Sequence, residues 1–177
     1  MIPWLLTFSR DIAATGILAA CTTIVYFSNP FIQGVGNYLY PEIAQTHAQN
    51  GRHRTNRLVG LATLLMIGAM SLFFIVAYVA GSDILRLFFG PQFGDQQTTI
   101  GILAASALVS SATLAMMYGL WAMGVSVVSF AASAVGLAVT FAVGIPLAAA
   151  YGQVGAAWAL FAGSATGSSV IFGSYVY

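Results

Sequence analysis

From Gln96 to Tyr177 the chain contains no Asp, Glu, Lys or Arg. Charged residues make up 5 % of the whole, against about a quarter in a water-soluble domain of ordinary composition. So few ionisable groups cannot keep a globule soluble. A net charge of +1, without clustered Lys and Arg along one face, excludes a nucleic-acid-binding surface. Cysteine is nearly missing as well. Cys21 stands alone, which excludes an internal disulfide and a cysteine metal cluster. Histidine is limited to His47 and His53; their spacing puts them on different faces if helical, and Glu42 reaches them only by folding of the segment between. These residues are too generic to build a metal or acid/base site on. Neither an enzyme nor a cofactor is expected.

What is present is apolar: 59 % of 177 residues are hydrophobic, with a mean hydropathy of +0.90. Because about 20 apolar residues cross the hydrocarbon core, the uncharged tract after Asp95 is too long for one span. Its punctuation near Tyr118-Gly119 and between Pro146 and Gly152 divides it into three. The expected fold is therefore an all-α integral membrane protein of about five transmembrane helices and a short interfacial helix.

Residues Met1 to Ser9, closed by Arg10-Asp11, read either as an interfacial anchor or as the end of an earlier helix. Leu18-Ala19-Ala20-Cys21 has the form of a bacterial lipoprotein cleavage box, which would leave Cys21 acylated. The run before it is short and opens on Asp11, and the chain stays apolar beyond it. A small buried thiol within a helix is the better reading.

The first span is placed at 12–40, with Pro30 expected to kink it, because proline offers no N–H to the carbonyl of Tyr26. Thr22, Tyr26, Asn29, Gln33, Asn37 and Tyr40 recur at steps of three and four, a polar seam along one side of a membrane helix. Pro41-Glu42 opens a polar segment that Gly51 closes. Arg52, Arg54 and Arg57 follow, so the positive-inside rule makes the loop 42–57 cytoplasmic. The second span, 58–80, is rich in Leu, Ile, Val and Phe. Segment 82–97 breaks the pattern with Asp83, Arg86, Gly90-Pro91 and Asp95, and reads as an interfacial helix on the outer face with Arg86 snorkelling.

The third span, 98–123, carries Ser106, Ser110, Ser111 and Thr113; its marginal hydrophobicity places it inside a bundle. The fourth, 124–149, has Ser126, Ser129, Ser133, Gly136, Thr140 and Gly144 along one face, and Pro146 is expected to bend its outer end. The fifth, 153–176, steps through Gly155, Ala159, Gly163 and Gly167, a small-residue spacing that permits tight helix packing. No ionisable side chain lies deep in any span, although such residues mark ion relays in many transporters. Tyr26, Asn29, Gln33, Asn37, Ser106, Ser110 and Thr113 are the candidate cavity-lining groups. They serve a polar cargo, or else bond one another between helices. Pro30 and Pro146 are the candidate hinges.

With the spans placed, Asn29-Pro30-Phe31-Ile32-Gln33-Gly34-Val35-Gly36-Asn37-Tyr38-Leu39-Tyr40-Pro41-Glu42-Ile43-Ala44 and the Arg-rich segment after it resemble a helix of the C-terminal lobe of polysaccharide-export flippases. Ile84-Leu85-Arg86-Leu87-Phe88-Phe89-Gly90 and Tyr151-Gly152-Gln153-Val154-Gly155-Ala156-Ala157-Trp158-Ala159 are similar to later stretches of that family, in the same order. The resemblance implies a lobe of a lipid-linked oligosaccharide flippase or polysaccharide exporter, within the superfamily of multidrug-extrusion transporters. Two lobes then tilt in alternation around a central cavity in a bacterial inner (plasma) membrane. The implied partners are membrane lipid, a polar or lipid-linked glycan, and an N-terminal lobe, with this chain as the separated C-terminal part. It departs from the family in having about five helices where a lobe has six, and in lacking basic cavity residues. Arg52, Arg54 and Arg57 are the available phosphate contacts, at the cytoplasmic mouth. A membrane scaffold docking through Gly-rich faces is the alternative; a drug-cation exporter is disfavoured by the want of a buried carboxylate.

Overall fold

A computed structural model describes residues 12–91 and 96–176, and their regular structure is helical throughout. The terminal segment Met1 to Ser9 lies outside the described residues. Among the described residues four helices follow one another: α1 (Ile12–Tyr26), α2 (Asn29–Phe89), α3 (Gln97–Ala122) and α4 (Ser126–Val176). The two longest are each interrupted by one glycine with non-helical backbone, Gly51 (φ 71°, ψ −172°) in α2 and Gly152 (φ 56°, ψ −128°) in α4. A side chain disfavours both conformations.

At each of these glycines the chain folds back on itself. Val35 and Leu39 of the first arm of α2 (29–50) face Ala62 and Met66 of its second arm (52–89). In α4, Gly136 and Thr140 of the first arm (126–151) meet Gly163 of the second (153–176), and Gly155 lies against the backbone of Leu147. A third reversal joins α2 to α3: Gly81 packs on Ile100, Gly101 on Tyr78, and Gly119 on Val59. The second arm of α4 then runs parallel to α3, since Gln96 pairs with Gln153 and Thr113 with Ser168 at nearly equal separations of 57 and 55 residues. Gly51 and Gly124 therefore turn at one end of the bundle, Gly90 and Gly152 at the other.

Three expectations are corrected. The helix at 12–40 is not one kinked rod: α1 ends at Tyr26, α2 begins at Asn29, and Pro30 occupies the first turn of the new helix. Proline is tolerated there because a first-turn N–H has no intrahelical partner to lose. Ser28 helps to end α1, its hydroxyl donating to the carbonyl of Val25 at 2.7 Å. The segment 42–57 is not a loop. Helix continues through Pro41 to Gly51 and resumes beyond it, because Ile43, fully buried against Val59 and Ala62, holds the chain on its helical course. Nor is 82–97 a separate interfacial helix. The second arm of α2 runs unbroken to Phe89 and is capped by the Gly90 N–H donating to Arg86 O at 3.1 Å. Gly81 and the fully buried Leu85 carry it across the point where the sequence turns polar.

The core is divided by level. Leu18, Cys21 and Val25 of α1 join Leu85, Ile100 and Ala157 toward the Gly90 end, while Leu39 and Ile43 join Val59, Met66 and Ala115 toward the Gly51 end. The break at Phe27-Ser28 thus falls midway through the bundle. Outward faces are apolar: Leu64, Leu72 and Val79 on α2 and Phe130, Leu137 and Ile145 on α4 are all more than half exposed. Soluble monomers rarely expose apolar patches of more than a few hundred Å². Among the described residues three helices, Asn29–Phe89, Gln97–Ala122 and Ser126–Tyr175, are long and apolar enough to cross a membrane.

Candidate functional site: two cavities sharing a serine wall

Helix α3 separates two cavities. The larger, about 480 Å³, lies between α3 and the two arms of α4, and Ser106, Ser110, Thr113, Ser133, Thr140, Ser164 and Ser168 supply its polar groups. The smaller, about 330 Å³, lies between α3 and the α1–α2 break, where Thr22, Tyr26, Ser28 and Asn29 face Ser106, Ser110 and Ser111. Ser106, Ser110, Leu114 and Leu160 line both. This wall exists because serine recurs at a step of four on α3, and a four-residue step returns to one helix face.

Most of these hydroxyls already donate to their own helix. Thr22 donates to Leu18 O at 2.6 Å, Thr140 to Gly136 O at 2.9 Å, and Ser133 to Ser129 O at 2.8 Å. Such groups are satisfied as donors and keep lone pairs for a guest. Between helices, Thr113 and Ser168 hydroxyls lie 3.2 Å apart, and Ser168 also donates to Val109 O at 3.4 Å. The side chains of Ser106, Ser110 and Asn29 make no hydrogen bond among the described residues, so they are available to a ligand in the cavities. No charged residue lines either cavity.

The other sequence candidates are distributed elsewhere. Gln33 and Asn37 are exposed on the outer face of α2 and line neither cavity. Arg52, Arg54 and Arg57 are exposed at the Gly51 end, with Arg54 Nη1 donating to Asn50 Oδ1 at 3.1 Å. Gly155, Gly163 and Gly167 face the first arm of α4, and Ala159 is buried. Pro30 stands at the α1–α2 break and Pro146 inside the first arm of α4. Among the described residues no three His, Cys, Asp or Glu side chains gather as a metal site would require.

Two interhelical features were not anticipated. Gln153 Nε2 donates to the buried Gln96 Oε1 at 2.7 Å, clasping α3 to the second arm of α4 at the Gly90 end. At the opposite end Tyr40, Tyr118 and Trp121 form a cluster with ring centroids 5.6–6.0 Å apart, anchored by Trp121 Nε1 donating to Ser129 Oγ at 2.9 Å. Both glutamines border turns, and polar side chains at a turn read from sequence as solvated.

Fold and site define a class: a helical protein with apolar outer faces, membrane-length helices and uncharged, hydroxyl-walled cavities. No family model, no curated protein and no solved structure matches the chain.

Proposed function

We propose that the chain is the C-terminal part of a flippase or exporter for polysaccharide or lipid-linked oligosaccharide, working by alternating access. The observation that carries this reading is the pair of cavities on either side of the Ser106–Ser110 wall, one of them opening against a helix broken midway through the bundle. Discontinuous membrane helices and uncharged hydrogen-bonding walls are the usual means by which transporters hold a polar guest within lipid. A neutral, hydroxyl-rich guest exchanges hydrogen bonds with Ser106, Ser110 and Asn29 at little desolvation cost. A charged guest would find no counter-ion there. The other side of the pathway comes from a second helical body, and the glycine-broken α2 and α4 hairpins move as units against it.

Docking as a scaffold through the glycine face is the weaker reading, because Gly155, Gly163 and Gly167 already face the first arm of α4. The test is Ser106→Leu combined with Ser110→Leu, which fills both cavities from one wall while adding no charge. Glycan export should fall about tenfold or more, as loss of two hydrogen bonds and the guest's space implies, at unchanged membrane levels of the protein. Export at the parental rate would reject the cavities as the path.

A further inference from the structure

Residues from the walls of both cavities converge toward the Gly51 end of the bundle. On α3, Leu114 lines both cavities, and Trp121, two turns further on, returns to the same face. On α4, Ser129 stands one turn before Ser133 of the larger cavity. On α2, Tyr40 stands three turns beyond Asn29 of the smaller one. Between them the same side of α2 carries Gln33 and Asn37, whose amides have no hydrogen-bond partner among the described residues. Contacts join the three helices here: Tyr40 meets Trp121 edge-on with ring centroids 6.0 Å apart, and Trp121 Nε1 donates to Ser129 Oγ at 2.9 Å. Just beyond them α3 stops at Ala122, whereas the first arm of α2 continues to its turn at Gly51.

Aromatic rings near a helix end ordinarily belong to the belt that anchors a protein at the membrane surface, with the indole N–H turned to headgroups and water. Trp121 departs from that pattern, because its N–H is bonded inside the bundle to the buried Ser129. What it leaves exposed is ring. Trp121 is 38 % and Tyr40 43 % exposed, and the tilted and edge-on contacts among these rings and Tyr118 leave other ring faces open.

We infer that Tyr40 and Trp121 form a stacking platform for a pyranose ring of a neutral glycan, with the Asn37 amide beside it, at the Gly51-end mouth of the two cavities. A pyranose has an apolar C–H face, which seats on an aromatic ring, and a rim of hydroxyls. Asn37, three residues before Tyr40, is its neighbour on the helix surface, and its amide offers that rim two donor hydrogens and an acceptor. A lipid tail would use the rings and leave the amides of Gln33 and Asn37 unpaired. The bond to Ser129 sets the indole plane in advance, so little side-chain freedom is lost when a sugar arrives. The inference rests on the transport reading for the class of guest, and adds to it a contact outside both cavities.

The experiment reads Trp121 directly. In the full chain in lipid nanodiscs, Trp4→Phe with Trp158→Phe leaves Trp121 as the one indole, and its emission is followed during titration with maltotriose and with triacetylchitotriose. At least one of these neutral sugars should shift the emission saturably. Sorbitol, which carries hydroxyls without a ring, should not. Adding Tyr40→Leu or Asn37→Leu should weaken the response about tenfold or more. No saturable shift with either sugar, an equal shift with sorbitol, or indifference to both leucine variants overturns the inference. Glycan export in cells separates stacking from anchoring: Trp121→Phe keeps a ring and loses the bond to Ser129, so export should be largely retained, whereas Trp121→Leu should cut it about tenfold. Equal loss in the two variants assigns the indole to holding the helices together and overturns the platform. The Ser106→Leu and Ser110→Leu pair tells the two readings apart. If that pair abolishes export while sugars leave Trp121 unmoved, the platform falls and the cavities stand; a sugar shift at Trp121 with export indifferent to the serine pair removes the cavities and leaves the platform.

Discussion

Glycine marks the residue-scale decisions of this chain, and its helix-interior positions range from closely packed to open. At Gly163 an added Cβ would collide with Thr140 Oγ1 and approach Gly136 O at 2.7 Å. Thr140 cannot withdraw without giving up its bond to Gly136 O. At Gly173, ten positions further along the same arm, nothing lies within 4 Å. The same substitution should therefore have opposite signs. Gly163→Ala should destabilise by about 1–3 kcal/mol through overpacking, whereas Gly173→Ala should be neutral or stabilising by up to about 1 kcal/mol through helix propensity. Thermal denaturation of the detergent-solubilised protein checks both; two shifts of the same sign would show that the α4 hairpin is not packed as described. The four-residue spacing of Gly155, Ala159, Gly163 and Gly167 was legible in the sequence as a packing face. Which helix it met was not, because a small residue records closeness without recording identity.

At the scale of elements, the turns fall at the glycines with positive φ, Gly51, Gly90, Gly124 and Gly152, whereas a proline does not by itself say whether a helix stops. Pro30 and Pro41 both signal interruption, yet one starts a helix and the other lies within it. Proline removes one backbone donor and fixes one φ; whether that ends a helix depends on what packing holds the next turn, and Ile43 holds it after Pro41. Gly51 and Gly152 reverse the chain because their backbone conformations have few competitors among other residues. Valine at either position should cost about 1–3 kcal/mol and separate the arms of its hairpin. Gly60→Val, at a helical position with nothing within 4 Å, should cost less than about 1 kcal/mol. Loss of monodispersity in detergent for Gly51→Val and Gly152→Val, with Gly60→Val intact, is the expected pattern; indifference at Gly51 would mean that α2 does not fold back there. Segment 82–97 was misread for a related reason. Asp83 and Arg86 looked like a boundary, but the contacts of Gly81 and Leu85 are long-range and leave no local pattern.

For the whole molecule, the membrane class and the order of apolar stretches were written in composition, whereas the pairing of rods was not. That the second arm of α4 runs parallel to α3 is fixed by contacts such as Gln96 with Gln153 and Thr113 with Ser168, between residues of types found throughout the chain. This pairing places the wall of Ser106 and Ser110 between two cavities, which spacing alone could not show. It also fixes which turns share an end, and so gives the orientation a sharp test. Arg52, Arg54 and Arg57 stand at the Gly51 end, accompanied by the turn at Gly124, while the Gly90 end carries Arg86 with Asp83. Excess arginine holds a short membrane-proximal segment on the cytoplasmic side. In the Cys21→Ala background, Asn50→Cys and Val125→Cys should react with a membrane-impermeant maleimide only after the membrane is opened. Pro91→Cys and Tyr151→Cys should react in intact cells. Because the two pairs belong to opposite ends of one bundle, they must switch together: labelling of Asn50 and Tyr151 from the same side would break the arrangement of rods as well as the orientation, while a clean exchange of both pairs would invert the orientation and leave the fold untouched.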